Sequence, residues 1–396
     1  MVGIMLFAKL NDLSIGGKGS YGIAASAVER KADLPTYLRI TDIFDDGTLN
    51  LSELKSVDAP NSDKYILKPN DIVFARTGGS TGRNYFYDGS DGVFVYAGFL
   101  IKFSIDPEKV NPKYVKYYCR SKQYNDWVQS FNTGSTRGNI NAQTFGNMEI
   151  PLPERKQQDY LVSILEPIDE KIKNNKQVND NLQQQLFSLY ENMATASPCL
   201  KEYTLSNLCD FQEGYVNPPQ THPEYFDGEV KWLRAVDINE SFIIETSRTL
   251  TKAGFESAKK SALLFEPNTI AISKSGTIGR LGIIADYMCG NRAVINIAPH
   301  DTNMLAFIYC FLKSKQREFP DMAVGSVQKN LYVSLLEPLS VSIPDNESLT
   351  AFNAVGASIL GMIHNNCVEN TDLANLRDTI LPKLMSGEID VSSVLL

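Results

Sequence analysis

A chain of 396 residues, 43% hydrophobic and 21% charged, has room for two or three domains with cores of their own. The net charge of −8 argues against a generally basic nucleic-acid coat. The six cysteines (119, 199, 209, 289, 310, 367) are scattered without a Cys-x-x-Cys, and the three histidines (222, 300, 364) are dispersed, so neither a disulfide framework nor a metal site is indicated.

No apolar run reaches the roughly 18 residues of a membrane span. Met1 to Ala8 is apolar but lacks a basic flank and a cleavage site, so it does not read as a signal peptide. A reducing cytoplasm is the expected setting, with no membrane partner. The acid is unevenly placed. Residues 345–396 carry two Lys+Arg against seven Asp+Glu, which leaves the rest near neutral and able to present a local basic face.

From the N-terminus, short β-type runs bounded by Gly, Asn, Asp and Pro come first: Asp71–Ala75 and Gly92–Phe103. Between them lies Arg76-Thr-Gly-Gly-Ser-Thr-Gly-Arg83. It has neither the Gly-Lys-Ser/Thr ending of a P-loop nor Gly-x-Gly-x-x-Gly spacing. Small residues let backbone amides approach phosphates, and the flanking basic residues can meet a phosphate or a guanine edge. Arg76, Thr77, Ser80 and Arg83 are therefore candidate DNA contacts, against the alternative of a plain tight turn. One helix is expected near Lys113–Phe131. The following polar run, Asn132-Thr-Gly-Ser-Thr-Arg-Gly-Asn-Ile-Asn141, is dense in donors, and Thr136, Arg137, Asn139 and Asn141 are candidate base readers or an ordinary surface loop.

Pro151-Leu-Pro153 then opens a long helix, since Pro suits the first turn. Its apolar positions are Leu161, Leu165, Ile168, Ile172, Leu182, Leu186, Leu189 and Met193, with Asn175 and Asn179 filling the central gap. An a/d seam of this length wants a partner helix, and buried Asn can fix its register. Leu161 to Met193 would span about 48 Å at about 1.5 Å per residue. Ser197-Pro198 ends the helix.

The chain then repeats itself. Tyr37-Leu-Arg-Ile-Thr-Asp-Ile43 returns as Trp232-Leu-Arg-Ala-Val-Asp-Ile238, and Leu67-Lys-Pro-Asn-Asp-Ile72 as Phe265-Glu-Pro-Asn-Thr-Ile270. The first glycine loop returns as Lys274-Ser-Gly-Thr-Ile-Gly-Arg280, with Lys274, Ser275, Thr277 and Arg280 as candidate contacts. The polar run returns as Gly325-Ser-Val-Gln-Lys-Asn330, with Gln328, Lys329 and Asn330. The helix returns as Phe352, Val355, Ile359, Ile363, Asn366, Asn370, Leu373, Ile380 and Leu384. The reading is a tandem duplication of globular unit and long helix, the two helices forming one coiled coil.

Asn217-Pro-Pro-Gln220 lacks the aromatic of an amino-methyltransferase motif, and no nucleophile-and-base set can be assembled. A non-catalytic chain is expected. A protein-binding coiled-coil scaffold without DNA readout, and an enzyme such as a methyltransferase, stay open as alternatives.

The duplicated motifs, Lys274–Gly279, and the ending Asn375-Leu-Arg-Asp-Thr-Ile-Leu-Pro-Lys-Leu-Met-Ser-Gly-Glu-Ile-Asp390 resemble the specificity subunits of type I restriction-modification systems. The resemblance implies an α+β fold: target-recognition domains at 1–152 and 198–344, separated by long helices at 153–197 and 345–396. Those helices would form an antiparallel intramolecular coiled coil with pseudo-twofold symmetry. Each domain would read one half of a bipartite double-stranded DNA target. The helices would dock two modification subunits, and restriction subunits would join through the complex. Cofactors would reside in the partners: S-adenosylmethionine for adenine methylation in the modification subunit, ATP and Mg in the restriction subunit. In the first domain Gly16-Gly-Lys-Gly-Ser-Tyr21 departs from the Gly214–Pro219 pattern of the second.

Overall fold

A computed structural model describes residues 6–131, 138–196, 201–326, 328–386 and Glu388. The chain falls into two compact units, residues 1–169 with 375–396 and residues 170–374. Both long helices are continuous, Arg155–Ala196 and Asn346–Ser386, and each contributes one part to each unit.

In the first unit an antiparallel sheet has the order β1 (Ser20–Tyr21), β4 (Leu100–Ser104), β2 (Asp71–Ala75), β3 (Asn84–Tyr87). β2 is buried along its whole length because both faces of the sheet are covered. Alternation along the strand sorts its side chains. Ile72 and Phe74 pack with the helix residues Tyr114, Tyr117 and Tyr124, whereas Val73 and Ala75 pack with Leu38 and Phe94 of a second, four-stranded sheet.

The run Gly92–Phe103 is not one strand but two, Phe94–Tyr96 and β4, with a turn at Ala97–Phe99 closed by the bond from Leu100 N to Ala97 O. The single helix expected near 113–131 is likewise two, Pro112–Tyr118 and Lys122–Gln129. Asn111 and Ser121 each accept a backbone N–H two or three residues on, so each starts its own helix.

The second unit repeats the plan with β5 (Cys209–Glu213), β8 (Val294–Pro299), β6 (Ile270–Ser273) and β7 (Leu281–Ile284), in that order. Ile270 and Ile272 pack with the helix Leu305–Lys315, and Ala271 with Leu233 and Phe265 on the other face. Leu305 to Leu312 of that helix are all buried, which accounts for a run apolar on every side.

The long helices pair antiparallel inside each unit. In the first, Leu161, Val162 and Leu165 share a core with Leu381 and Met385, and Ile380 and Leu384 are partly buried against it. In the second, Leu186 and Tyr190 share a core with Phe352, Ile359, Leu360 and Ile363, with Leu182, Leu189 and Met193 partly buried. Ile168, Ile172 and Leu373 are half-buried. The seam of the second helix is not a strict heptad. Val355 is 47% exposed, and Gly356 takes the inward position, where an added Cβ would lie 2.5 Å from Ala306 Cβ. A straight helix drifts about 20° per heptad from a 3.5-residue repeat, so neighbouring positions take over in turn.

Pro167 and Pro382 lie inside the long helices, where the sequence reading placed proline only at the start. Both rings sit on exposed positions. The polar residues at the centre bond one another. Asn175 Nδ2 donates to Glu369 Oε2 (2.7 Å) and Asn370 Oδ1 (3.0 Å), and Asn366 Nδ2 donates to Asn179 Oδ1 (2.8 Å). Asn175 and Asn179 are each 5% exposed. Asn179 Nδ2 also meets Cys367 Sγ (3.5 Å), so both buried amides find their partners on the facing helix, a register preference that an all-apolar seam lacks.

Candidate nucleic-acid interface

In the first unit the chain leaves β2 at Ala75 and returns at Arg83 through a closed loop. Ala75 N donates to Arg83 O (2.8 Å) and Gly82 N to Ala75 O (2.9 Å). Gly82 has φ 89°, and a Cβ there would lie 2.4 Å from Val128 Cγ1, so glycine is required by both conformation and space.

The described end of the polar run, from Gly138 to Ile140, is laid against this loop. Ile140 N donates to Arg76 O (2.9 Å), Thr77 and Asn139 form an antiparallel bridge, and Thr81 Oγ1 donates to Gly138 O (2.9 Å). Two stretches some sixty residues apart in sequence thus make one surface. Asn139 is exposed on it, Thr77 is half-buried and Ser80 is buried. Thr136 and Arg137 lie outside the described residues.

The two ends of the glycine loop behave differently. Arg83 points back into its own unit, donating to Asp45 Oδ1 (2.7 Å) and Ile43 O (3.1 Å). Arg76 lies with its guanidinium 5.2 Å from the Tyr21 ring centroid, and its Nε is buried without a hydrogen-bond partner. Asn141 Oδ1 accepts from Thr144 N (2.9 Å), the N-cap of the short helix Ala142–Gly146, so that oxygen is already engaged.

The second unit uses the same backbone scheme. Lys274 N donates to Ala293 O (2.7 Å), as Arg76 N does to Phe99 O (3.1 Å), and Leu331 N donates to Lys274 O (2.9 Å). The glycine loop is held from within by Ser273. Its hydroxyl donates to Thr277 O and accepts from Arg280 N. Gln316 Nε2 donates to Gly279 O (2.9 Å). Thr277, Gln328 and Lys329 are exposed, and Ser275, Arg280 and Asn330 are half-buried. Asn330 Nδ2 donates to Gln328 O (3.1 Å), and Val324 bridges Asn330.

Lys274 differs from Arg76 in its partner. Its Nζ pairs with Glu213 Oε1 (2.8 Å) and sits 4.8 Å from the Tyr332 ring centroid. Burial would raise the Glu213 carboxyl, but hydrogen bonds from Lys274 and Tyr215 outweigh it and hold it below the ordinary carboxylate range. The Tyr215 hydroxyl, donating to Glu213 Oε2 (2.6 Å), is raised in turn by that bond.

Tyr21, Glu213, Tyr215 and Tyr332 were not among the residues singled out from the sequence. A signal for them existed. Gly22 and Gly214 are equivalent: Gly22 N donates to Leu100 O and Gly214 N to Val294 O, and a Cβ at either would meet backbone at 2.3 and 2.2 Å. Aligning Gly22, rather than Gly16, with Gly214 brings Tyr21 onto Glu213.

Also missed was an ionic hub in the first unit. Asp169 of the first long helix binds Lys116 Nζ (2.8 Å), Arg120 Nη1 (2.8 Å), the Tyr117 hydroxyl (3.1 Å) and Arg377 Nη1 of the second long helix (3.0 Å). Burial would raise this carboxyl, but Arg120, Lys116 and Arg377 overrule it and hold it well below its ordinary value.

Among the described residues no helix is long and apolar enough to cross a membrane, and no cluster of His, Cys, Asp and Glu could hold a metal ion. A family model for the type I restriction modification DNA specificity domain matches residues 29–184 and 200–371. The chain is 21% identical over 457 residues to the type I restriction enzyme HindI specificity subunit of Haemophilus influenzae, covering 93% of this chain and 98% of that one. It is 23% identical over 312 residues to the MjaIX specificity subunit of Methanocaldococcus jannaschii, covering 73% and 72%. Its fold is similar to the crystal structure of a type I restriction-modification S subunit from M. genitalium, with a TM-score of 0.53, 16% identity and 97% of each chain covered.

Proposed function

Since the chain belongs to the type I restriction-modification DNA specificity family, and is thereby a DNA-recognition subunit, we propose that each unit reads one half of a bipartite double-stranded DNA target. The observation that carries this is the repeated surface. In both units a glycine loop at a strand end and a polar run from later in the chain are joined through one backbone bond, Ile140 N to Arg76 O and Leu331 N to Lys274 O. Small residues allow close approach to the duplex backbone, and the adjoining Asn, Gln, Arg and Lys side chains have the donor and acceptor patterns that discriminate base edges.

The two surfaces carry different side chains, Asn139 and Asn141 against Gln328, Lys329 and Asn330, so the half-sites differ in sequence. The exposed faces of the long helices dock two modification subunits, and restriction subunits join through them. This chain contributes position and sequence choice and no chemistry. S-adenosylmethionine belongs to the modification subunit, and ATP and Mg to the restriction subunit. The acidity of the chain fits that division, because phosphate affinity supplied by partners relieves this subunit of a basic surface. The site of action is the cytoplasm.

The test is single-molecule methylation mapping of DNA from cells that express this chain with a modification subunit. A split adenine-methylated motif with a gap of fixed length is expected. A complex that assembles yet leaves no such motif would refute the reading.

A further inference from the structure

The strand registers place Tyr21 and Glu213 at the same position of the two units. Tyr21 pairs with Ile101, which pairs with Phe74, two residues before Arg76. Glu213 pairs with Ile295, which pairs with Ile272, two residues before Lys274. One lattice position therefore faces the leading basic residue of each glycine loop, with an aromatic ring in one unit and a carboxylate in the other.

The two environments leave different chemistry available. A ring face attracts a cation through its quadrupole and uses none of its N–H donors. Among the described residues Arg76 has no ion pair; its planar fork lies over the Tyr21 ring, 5.2 Å from the centroid, with Nε buried and without a partner. A fork of this kind matches the two acceptors, O6 and N7, on the major-groove edge of guanine. In the second unit the Lys274 charge is spent on Glu213, at 14% and 19% side-chain exposure. The pair is neutral, and each oxygen of its carboxylate takes one donor, from Lys274 and Tyr215. A carboxylate has about four lone-pair sites and accepts from the exocyclic amine of cytosine.

We infer that this paired position sets base choice in each half-site: Arg76, oriented by Tyr21, reads a guanine, and Glu213, oriented by Lys274 and Tyr215, reads a cytosine amine. The assignment rests on the bipartite readout proposed above. It also explains how one backbone scheme, kept by duplication, serves two different sequences: exchanging Tyr21 and Arg76 for Glu213 and Lys274 inverts donor and acceptor.

The experiment uses the complex assembled with the modification subunit and maps methylated motifs for the wild type, Arg76→Lys and Glu213→Gln. Arg76→Lys keeps the charge and the place over the ring but loses the fork. It is expected to lower the preference for guanine at one position of one half-site by about ten- to a hundredfold. Glu213→Gln keeps size but removes the carboxylate, and is expected to relax one cytosine position of the other half-site. Each variant leaves the opposite half-site unchanged. A wild-type split motif that both variants reproduce with unaltered base preference would overturn this inference while leaving the bipartite reading intact. Absence of any split motif in the wild type would remove the bipartite reading itself. Complex size and circular dichroism confirm that each variant folds and assembles, and Arg76→Lys, which preserves charge and length, tests the first unit even if Glu213→Gln disturbs the second.

Discussion

Asp169→Asn removes one carboxylate and leaves Lys116 and Arg120, together with an Arg377 still paired to Asp378 (2.8 Å), packed around a neutral amide. The carboxylate is 15% exposed and the three cations are 19%, 14% and 13% exposed, so water screens little of the resulting repulsion. Removing one partner of a buried ion pair costs about 3–5 kcal/mol, because the remaining charge is left uncompensated. For a unit of this size that corresponds to a fall in Tm on the order of 10 °C.

The two tryptophans allow the unit to be read alone, since Trp127 lies in the first and Trp232 in the second. In a Trp232→Phe background, denaturant unfolding followed by Trp127 fluorescence reports the first unit. The sign of the pH dependence follows from the depressed carboxyl. Its stabilisation is fully present above the unfolded value of about 3.9 and is lost only as pH falls toward the lower folded value. The gap between wild type and Asp169→Asn is therefore constant from pH 7 to about 5 and narrows below about pH 4. A loss under about 1 kcal/mol, typical of an exposed pair, or a gap that persists unchanged to pH 2, would refute the reasoning.

Gly356→Ala is expected to destabilise the second unit by about 1–3 kcal/mol, despite the better helix propensity of Ala, because the new methyl would collide with Ala306; Trp232 fluorescence in a Trp127→Phe background measures it, and a stabilised variant would contradict the packing. Leu186→Ala, at a site 1% exposed, is expected to cost about 2–5 kcal/mol by the same readout, and Ile380→Ala, half-buried in the first unit, distinctly less by Trp127. Equal losses at the two sites would mean that the burial of the seam is misassigned. Exchanging residues 200–344 for the matching segment of another family member is expected to change one half of the methylated motif only, and a change in both halves would show that the units do not read independently.

Much of this protein is legible in its sequence because duplication writes each message twice. Two copies each of an Arg/Lys-Gly loop, a Pro-Asn turn and a helix with paired central asparagines outweigh what any one of them says alone. Periodicity marked the long helices and their polar centre, since a seam of more than four heptads has few other interpretations. It could not tell Val355 from Gly356, because over four heptads the drift between 3.6 and 3.5 residues per turn moves the buried face by one position.

Partners far apart in sequence were decided only by tertiary structure. That Arg83 turns inward to Asp45 while Arg76 lies over Tyr21 depends on which strand edges meet, and no local pattern encodes it. Asp169 shows the same limit. As one acid among many on a long helix it reads as a solvated charge, and only the packing of two helices and a tyrosine-rich short helix closes three cations around it. The sequence by itself determined the repeat, the element types and the family. The fold alone determined which side chains of each repeat stand together, because that rests on strand register and helix packing, which arise from the whole chain at once.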